Sequence, residues 1–186
     1  CDDVHCQVYH DKCLKNPVII ESAKITEGLV ITDTTMMIIT ATFHSNCGGQ
    51  TVKSEDVWGK SRSYLKSVQD TFCMYERCAY WEKKIALDTF INYLQANGFK
   101  ISRNSFGKDS IVFSQPCRMT WFNFGGDSMP LKKMRTDLKL KSTFFSLTKH
   151  GNEIVFKGKG YGHGVGLCQE GAMRMAKMGY KYEDII

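Results

Sequence analysis

The sequence predicts an α+β fold, mainly antiparallel β-sheet with a few short helices. Three observations predict it. Short β-rich runs recur along the chain with turn signals at their ends. Helical patterns stand apart from those runs. The last strand opens into a glycine-rich loop that should lead into a helix. The 186 residues suit one domain, 1–186, long enough to bury a core. With 42% hydrophobic and 24% charged residues, the composition is globular and excludes a disordered chain. No apolar run approaches the roughly 18 residues needed to span a bilayer.

Taken in order, Val18 to Ile20 reads as a short strand, and Leu29 to Ile31 with Met36 to Phe43 as a hairpin joined by Thr32-Asp33-Thr34-Thr35. The second run leads into His44-Ser45-Asn46-Cys47-Gly48-Gly49-Gln50-Thr51, a polar, glycine-bearing loop at a strand end. Asp88 is placed to cap a helix over Thr89 to Asn97, with Gly98 as its stop. The stretch from Cys73 to Phe106 around it reads as a helical insertion. Arg118 to Phe124 reads as a strand ending at Gly125-Gly126-Asp127. Phe144 to Lys149 and Ile154 to Lys159 flank the turn His150-Gly151-Asn152. Gly158 to Gly166 follows, then a helix over Leu167 to Met178 whose methionines read as core, with Gly179 as its stop.

The 25 basic against 19 acidic residues give +6, spread out, with the densest basic cluster at Leu131 to Lys141. A scattered surplus of this size is only weak evidence for nucleic acid. It reads as a solvated surface and would equally suit an anionic polymer. The chain opens at Cys1 without an initiator Met and stops inside a helix-like Tyr182 to Ile186, so it reads as a piece of a longer protein.

Eight cysteines allow disulfides without showing their pairing. Cys73 and Cys78, four residues apart, are the best local pair, with two free thiols as the alternative. Cys1, His5 and Cys6 bring thiolate, imidazole and thiolate within six residues, a set that can converge on a tetrahedral cation such as zinc, with His10 and Cys13 close behind. Disulfides or buried thiols from the same residues are the alternatives.

Two loops carry the candidate chemistry. In Gly160-Tyr161-Gly162-His163-Gly164-Val165-Gly166 the alternating glycines let backbone come close to a ligand. Neither phosphate-binding glycine spacing is present; a carbohydrate or carboxylate fits as well, and a tight turn with His163 hydrogen-bonded inside is the alternative. The His44 to Thr51 loop suits a hydroxyl- and amide-rich sugar site, with Trp58, Tyr64 and Trp121 as flat faces for sugar rings. A cysteine hydrolase using Cys47, with His44 or His163 as base, is the remote alternative.

Read as motifs, these segments resemble the family of stage II sporulation protein D and the LytB amidase enhancers. Cys1 to Tyr9 is similar to its CDxxHCQVY segment and His44 to Thr51 to its HSxSGGxT loop, with Cys47 where Ser is frequent. Glu55 to Trp58 and Tyr64 to Val68 resemble EDVW…YLxSV, Leu140 to Phe145 resembles LxSTxF, and Gly160 to Ala172 resembles GxGHGVGxxQxGA. The resemblance implies a secreted or cell-envelope protein of peptidoglycan remodelling, reaching a membrane only through a segment outside this chain. The family's characterised enzymes are lytic transglycosylases acting on MurNAc–GlcNAc glycan strands. It implies glycan strands and a cell-wall amidase as partners, with no nucleic acid and no organic cofactor. His44, Ser45, Gly48, Gly49, Gln50, Thr51, Trp58, Tyr64, Gly162, His163, Gly164, Gly166 and Gln169 are the implied substrate-binding residues. Cys1, His5 and Cys6 are the implied zinc ligands. The family's catalytic glutamate lies in a motif upstream of HCQVY, which this sequence does not include. Within the matched motifs Glu170 is the candidate acid, and Glu55 a further one.

Overall fold

The structure, a computed structural model, describes residues 16–107 and 110–186. The described residues fall into two compact units, one up to Thr40 and one from Ala41 on. Among the described residues it is α+β and mostly antiparallel, as the sequence predicts.

In the first unit, Val18 to Ile20 is helical and not a strand: α1 spans Pro17–Ile25. The local signals explain it. Asn16 Oδ1 accepts the Val18 N–H at 3.0 Å, and Pro17 stands at the first helical position, where its fixed φ suits a helix and its missing N–H costs nothing. These start signals outweigh the β preference of Val and Ile. The expected hairpin shrinks to a single bridge between Thr32 and Ile38. Its turn is held by Asp33, whose Oδ1 accepts from the Thr35 and Met37 N–H groups and the Thr35 hydroxyl.

The second unit begins with β1 (Phe43–His44) and α2 (Ser54–Trp58). Then come β2 (Tyr80–Ala86), α3 (Leu87–Ala96), β3 (Ile111–Phe113), β4 (Trp121–Phe124) and β5 (Asp127–Pro130). The remaining elements are α4 (Leu131–Asp137), β6 (Phe145–His150), β7 (Glu153–Lys159), β8 (Leu167–Cys168), α5 (Gln169–Lys177) and α6 (Tyr182–Ile185).

The main sheet has the order β2-β7-β6-β3, with every neighbouring pair antiparallel. The β6–β7 hairpin turns at Gly151 as its sequence predicts, pairing His150 with Glu153. α3 buries Leu87, Phe90, Ile91 and Leu94, spaced at i, i+3, i+4 and i+7, in the core that the sheet shares with Phe122, Leu131, Met134 and Phe156. Phe90 stands edge-on to Phe106, Phe122 and Phe156, so one ring ties the helix to three neighbours. The stretch read as a helical insertion supplies the β2 edge strand and the core helix α3. α3 starts at Leu87, earlier than an Asp88 cap requires; Ala86 at the N-cap has no polar side chain, and Asp88 stands in the first turn and pairs with Arg103 at 2.8 Å.

Gly158 is explained by its partner across the ladder. It stands opposite Trp81, and a Cβ there would run into the indole ring. The Trp81 ring is fixed in turn by its N–H donating to Ser142 Oγ at 3.2 Å, the buried serine of the Leu140 to Phe145 motif. The methionines of the last helix depart from expectation. Gly171 is the buried residue of α5, while Met173 is 55% exposed and Met178, just past its end, 54%. Among the described residues no helix is long and apolar enough to cross a membrane.

Candidate functional site

The two glycine loops come together, and they do so by direct weaving. β1 pairs in parallel with β8, placing Phe43 opposite Leu167 and His44 opposite Cys168. Asn46 and Tyr161 exchange backbone hydrogen bonds at 3.1 and 2.8 Å, and Val52 N–H donates to the Gly164 carbonyl at 2.8 Å. The glycines exist for this closeness. A Cβ on Gly160, at φ 75°, would sit 2.6 Å from the Asn46 carbonyl oxygen; on Gly48, at φ 69°, it would sit 2.7 Å from the Lys159 carbonyl carbon. Gly162 faces the His44 Cβ, Gly164 faces Val52 and Arg118, and Gly166 faces Thr42 in the same way.

Several predicted binding residues are spent on this frame. Thr51 Oγ1 accepts the Val68 N–H at 2.7 Å and donates to the Lys66 carbonyl at 3.1 Å. Gln50 donates through Nε2 to Ser67 Oγ and accepts the Arg118 N–H. Gly49 lies against the Met74 sulfur, and its carbonyl accepts the Asp70 N–H. The Ser45 carbonyl accepts the Glu170 N–H at 3.0 Å. Tyr64 packs beside buried Val52, Leu65 and Val165. Gln169 opens α5 and is exposed.

Glu170 is half-buried, and its Oε2 accepts from Asn46 Nδ2 at 2.6 Å and from the Cys78 N–H at 3.2 Å. Asn46, which the sequence did not single out, uses every polar atom of its side chain. Its Oδ1 accepts the Gly48 N–H, while Nδ2 serves both Glu170 and the Cys73 carbonyl. Glu170 and Asn46 together brace the first loop against α5 and the Cys73–Cys78 turn.

Where the loops meet, a buried histidine stands behind a half-buried one that carries an aromatic neighbour. His44 is 4% exposed, and its Nδ1–H donates to the Val165 carbonyl at 3.1 Å. That bond fixes the tautomer and leaves Nε2 as the acceptor, which has no hydrogen-bond partner among the described residues. Burial holds the His44 pKa down at about 4, so the ring is neutral at pH 7. His163 Nδ1 accepts the Val165 N–H at 3.1 Å, and its other nitrogen serves the Phe43 carbonyl. Burial, with the charge of Arg135, also lowers its pKa. The two imidazoles lie 5.6 Å apart, and Trp58 lies 5.2 Å from His163.

Trp58, 43% exposed, and His163 line a hollow with Asp56, Thr120, Lys132, Arg135, Thr136 and Thr143. Its volume of about 180 Å³ is below the roughly 300–1,000 Å³ of pockets that engulf a drug-sized ligand. Arg135, on α4, is half-buried, and its Nε finds no partner among the described residues. Lys132 Nζ reaches the Val57 carbonyl at 2.8 Å, tying α4 to α2. These cations come from the basic cluster at Leu131 to Lys141. The sequence showed the cluster but not that α4 carries two of its members to the wall beside Trp58. Trp121, 50% exposed, is outside this hollow.

Two cysteine expectations change. Cys73 and Cys78 are both free thiols, because Cys73 turns inward to Cys47 while the Cys78 N–H turns to Glu170. Cys47 is fully buried and faces Asp70 Oδ2 at 3.2 Å and Cys73 Sγ at 3.3 Å. A sulfur enclosed in this way is out of a substrate's reach, the reverse of an exposed nucleophile. The Cys47 hydrolase reading fails on this environment. Cys1, His5 and Cys6 lie outside the described residues.

No family model matches the chain. It is 31% identical over 155 residues, 80% of its length and 41% of the relative's, to an uncharacterized protein of Brachyspira hyodysenteriae. It is 29% identical over 174 residues, 90% of its length and 48% of the relative's, to stage II sporulation protein D of Bacillus subtilis. A shorter match, 37% over 62 residues, covers 32% of the chain and 9% of the amidase enhancer of Bacillus subtilis. The chain spans about half the length of the longer-matching curated relatives. With the motifs in the same order and the frame they build, the chain belongs to the family of stage II sporulation protein D and the amidase enhancers.

Proposed function

We propose that this chain binds the glycan strands of peptidoglycan in the cell envelope, as the bulk of a lytic transglycosylase that cleaves the MurNAc–GlcNAc bond. The observation that carries the reading is the hollow beside the woven loops. An exposed indole offers a stacking face, threonine hydroxyls suit sugar hydroxyls, and the Arg135 guanidinium on the wall brings a positive charge that suits an anion. MurNAc free of its stem peptide supplies both a ring to stack on and a carboxylate. The names of the sporulation and amidase-enhancer relatives support a cell-wall role.

The proposed reaction needs one carboxylic acid. It protonates the glycosidic oxygen as the C1–O bond breaks, then takes the proton from the C6 hydroxyl as that oxygen closes the 1,6-anhydro ring. In this reading the acid is the family's upstream glutamate, and Glu170 is the alternative. Zinc at Cys1, His5 and Cys6 belongs to the same proposal.

Incubating the full-length protein with glycan strands and separating the products tests the reading. It predicts anhydro-ended muropeptides, and their absence overturns the enzymatic part. Glu170→Gln separates the two acids: activity survives if Glu170 only braces Asn46, and disappears if it is the proton donor.

The match to the amidase enhancer favours one second reading, a non-catalytic module that binds the wall and stimulates an amidase. It predicts glycan binding and amidase stimulation with no cleavage by the full-length protein.

A further inference from the structure

Behind the woven loops the fold gathers three sulfurs and a carboxylate from four places in the chain. Cys47 comes from the loop after β1, Asp70 from the strap that this loop holds, Cys73 from the 3-10 turn at Phe72–Tyr75, and Cys168 from the N-cap of α5. Their Sγ and carboxylate oxygen atoms all lie within 4.8 Å of one another. Ligands on a tetrahedral zinc, with Zn–S about 2.3 Å, stand about 3.8 Å apart, so the gathering has the span of one ion's shell.

The surroundings are those of ligands already aimed. Cys168 Sγ accepts N–H groups from Cys47 at 3.3 Å and from Gly171 at 3.4 Å, as suits a sulfur carrying negative charge. Asp70 Oδ1 accepts the Phe72 N–H at 3.0 Å, which turns Oδ2 toward the Cys47 sulfur. Gly171 is needed here as well, because a Cβ would collide with the Asp70 carboxylate. Cys47, Cys73 and Cys168 are 0%, 0% and 5% exposed, so several groups that ionise to anions share a dry space. The neighbouring cation does not neutralise them directly, since Arg118 donates through Nε to the Gln50 carbonyl and through Nη2 to the Cys47 carbonyl.

We infer that Cys47, Asp70, Cys73 and Cys168 form a structural metal site for a thiophilic divalent ion, zinc by ligand type. Three thiolates and one carboxylate complete a tetrahedral shell and leave no position for substrate, so the ion locks the loops and does no chemistry. The set shares no residue with Cys1, His5 and Cys6, and it holds whether or not the chain cleaves glycan.

The test uses the full chain, purified without reductant or chelator, in a Cys1→Ser/Cys6→Ser background that silences the other candidate ligands. Elemental analysis should find one zinc per chain. Cobalt substitution should give the intense visible bands of a tetrahedral ion with thiolate charge transfer. Cys168→Ser should lower zinc affinity at least tenfold, while Asp70→Cys should retain the ion and shift the cobalt spectrum toward four sulfurs. X-ray absorption on unmutated ligands, which no folding defect can confuse, should show three sulfurs at about 2.3 Å and one oxygen at about 2.0–2.2 Å. Zinc absent from the folded background protein, a first shell with fewer than three sulfurs, or a Cys47–Cys73 disulfide by peptide mapping would each overturn the site.

Discussion

His44 shows how one residue joins frame and function. A buried imidazole with one nitrogen committed to the Val165 carbonyl stays neutral in the fold, while in the unfolded chain it takes a proton near pH 6.5. Its folded pKa is depressed to about 4, so its contribution to stability is fully present above pH 6.5. That contribution is lost as the pH falls from 6.5 toward 4, by up to about 3 kcal/mol. His163 acts with the same sign. Denaturation midpoints across this range should fall on the acid side, and His44→Gln should flatten much of the slope; an unchanged slope would assign it elsewhere. Arg135→Met tests the anion side of the hollow. It should weaken binding to glycan carrying the MurNAc carboxylate several-fold while leaving chitin oligosaccharides, which lack it, little affected. Equal losses on both would remove Arg135 from carboxylate recognition.

At the scale of elements, the woven loops and the core helix make opposite demands on sequence. Gly160→Ala places a Cβ 2.6 Å from the Asn46 carbonyl at a positive φ, so chemical denaturation should show a loss of about 2–4 kcal/mol. Phe90→Ala should cost about 3–5 kcal/mol by leaving a cavity among Phe106, Phe122 and Phe156. A loss under 1 kcal/mol at either position would contradict the packing described. The β6–β7 hairpin and α3 were legible because local signals, a glycine turn and a helical period, agree with the tertiary contacts. The Val18 to Ile20 strand was misread because an asparagine cap and a proline start outweigh three β-branched residues. The methionines of the last helix were misread because its buried contact is made by Gly171, which no apolar period reveals.

At the scale of the whole molecule, the order of motifs in the sequence pointed to the family, but not to what each motif does. His44 to Thr51 and Gly160 to Gly166 read as two separate loops, each offering backbone and side chains to a ligand. In the structure they are one interlocked frame, and Thr51, Gln50 and Gly48 are occupied in holding it. The outward surface is built where they meet α2 and α4, through Trp58, His163 and Arg135, which are far apart in sequence. The Cys47–Asp70–Cys73–Cys168 gathering was equally illegible, since its spacing matches no short motif. The most direct test of the account is equilibrium binding of purified glycan strands to the chain and to Trp58→Ala, with the fold of each verified by circular dichroism. The account predicts measurable binding that falls about tenfold in the variant, the loss of one stacking face. Equal binding by both folded proteins, or none by either, would contradict it.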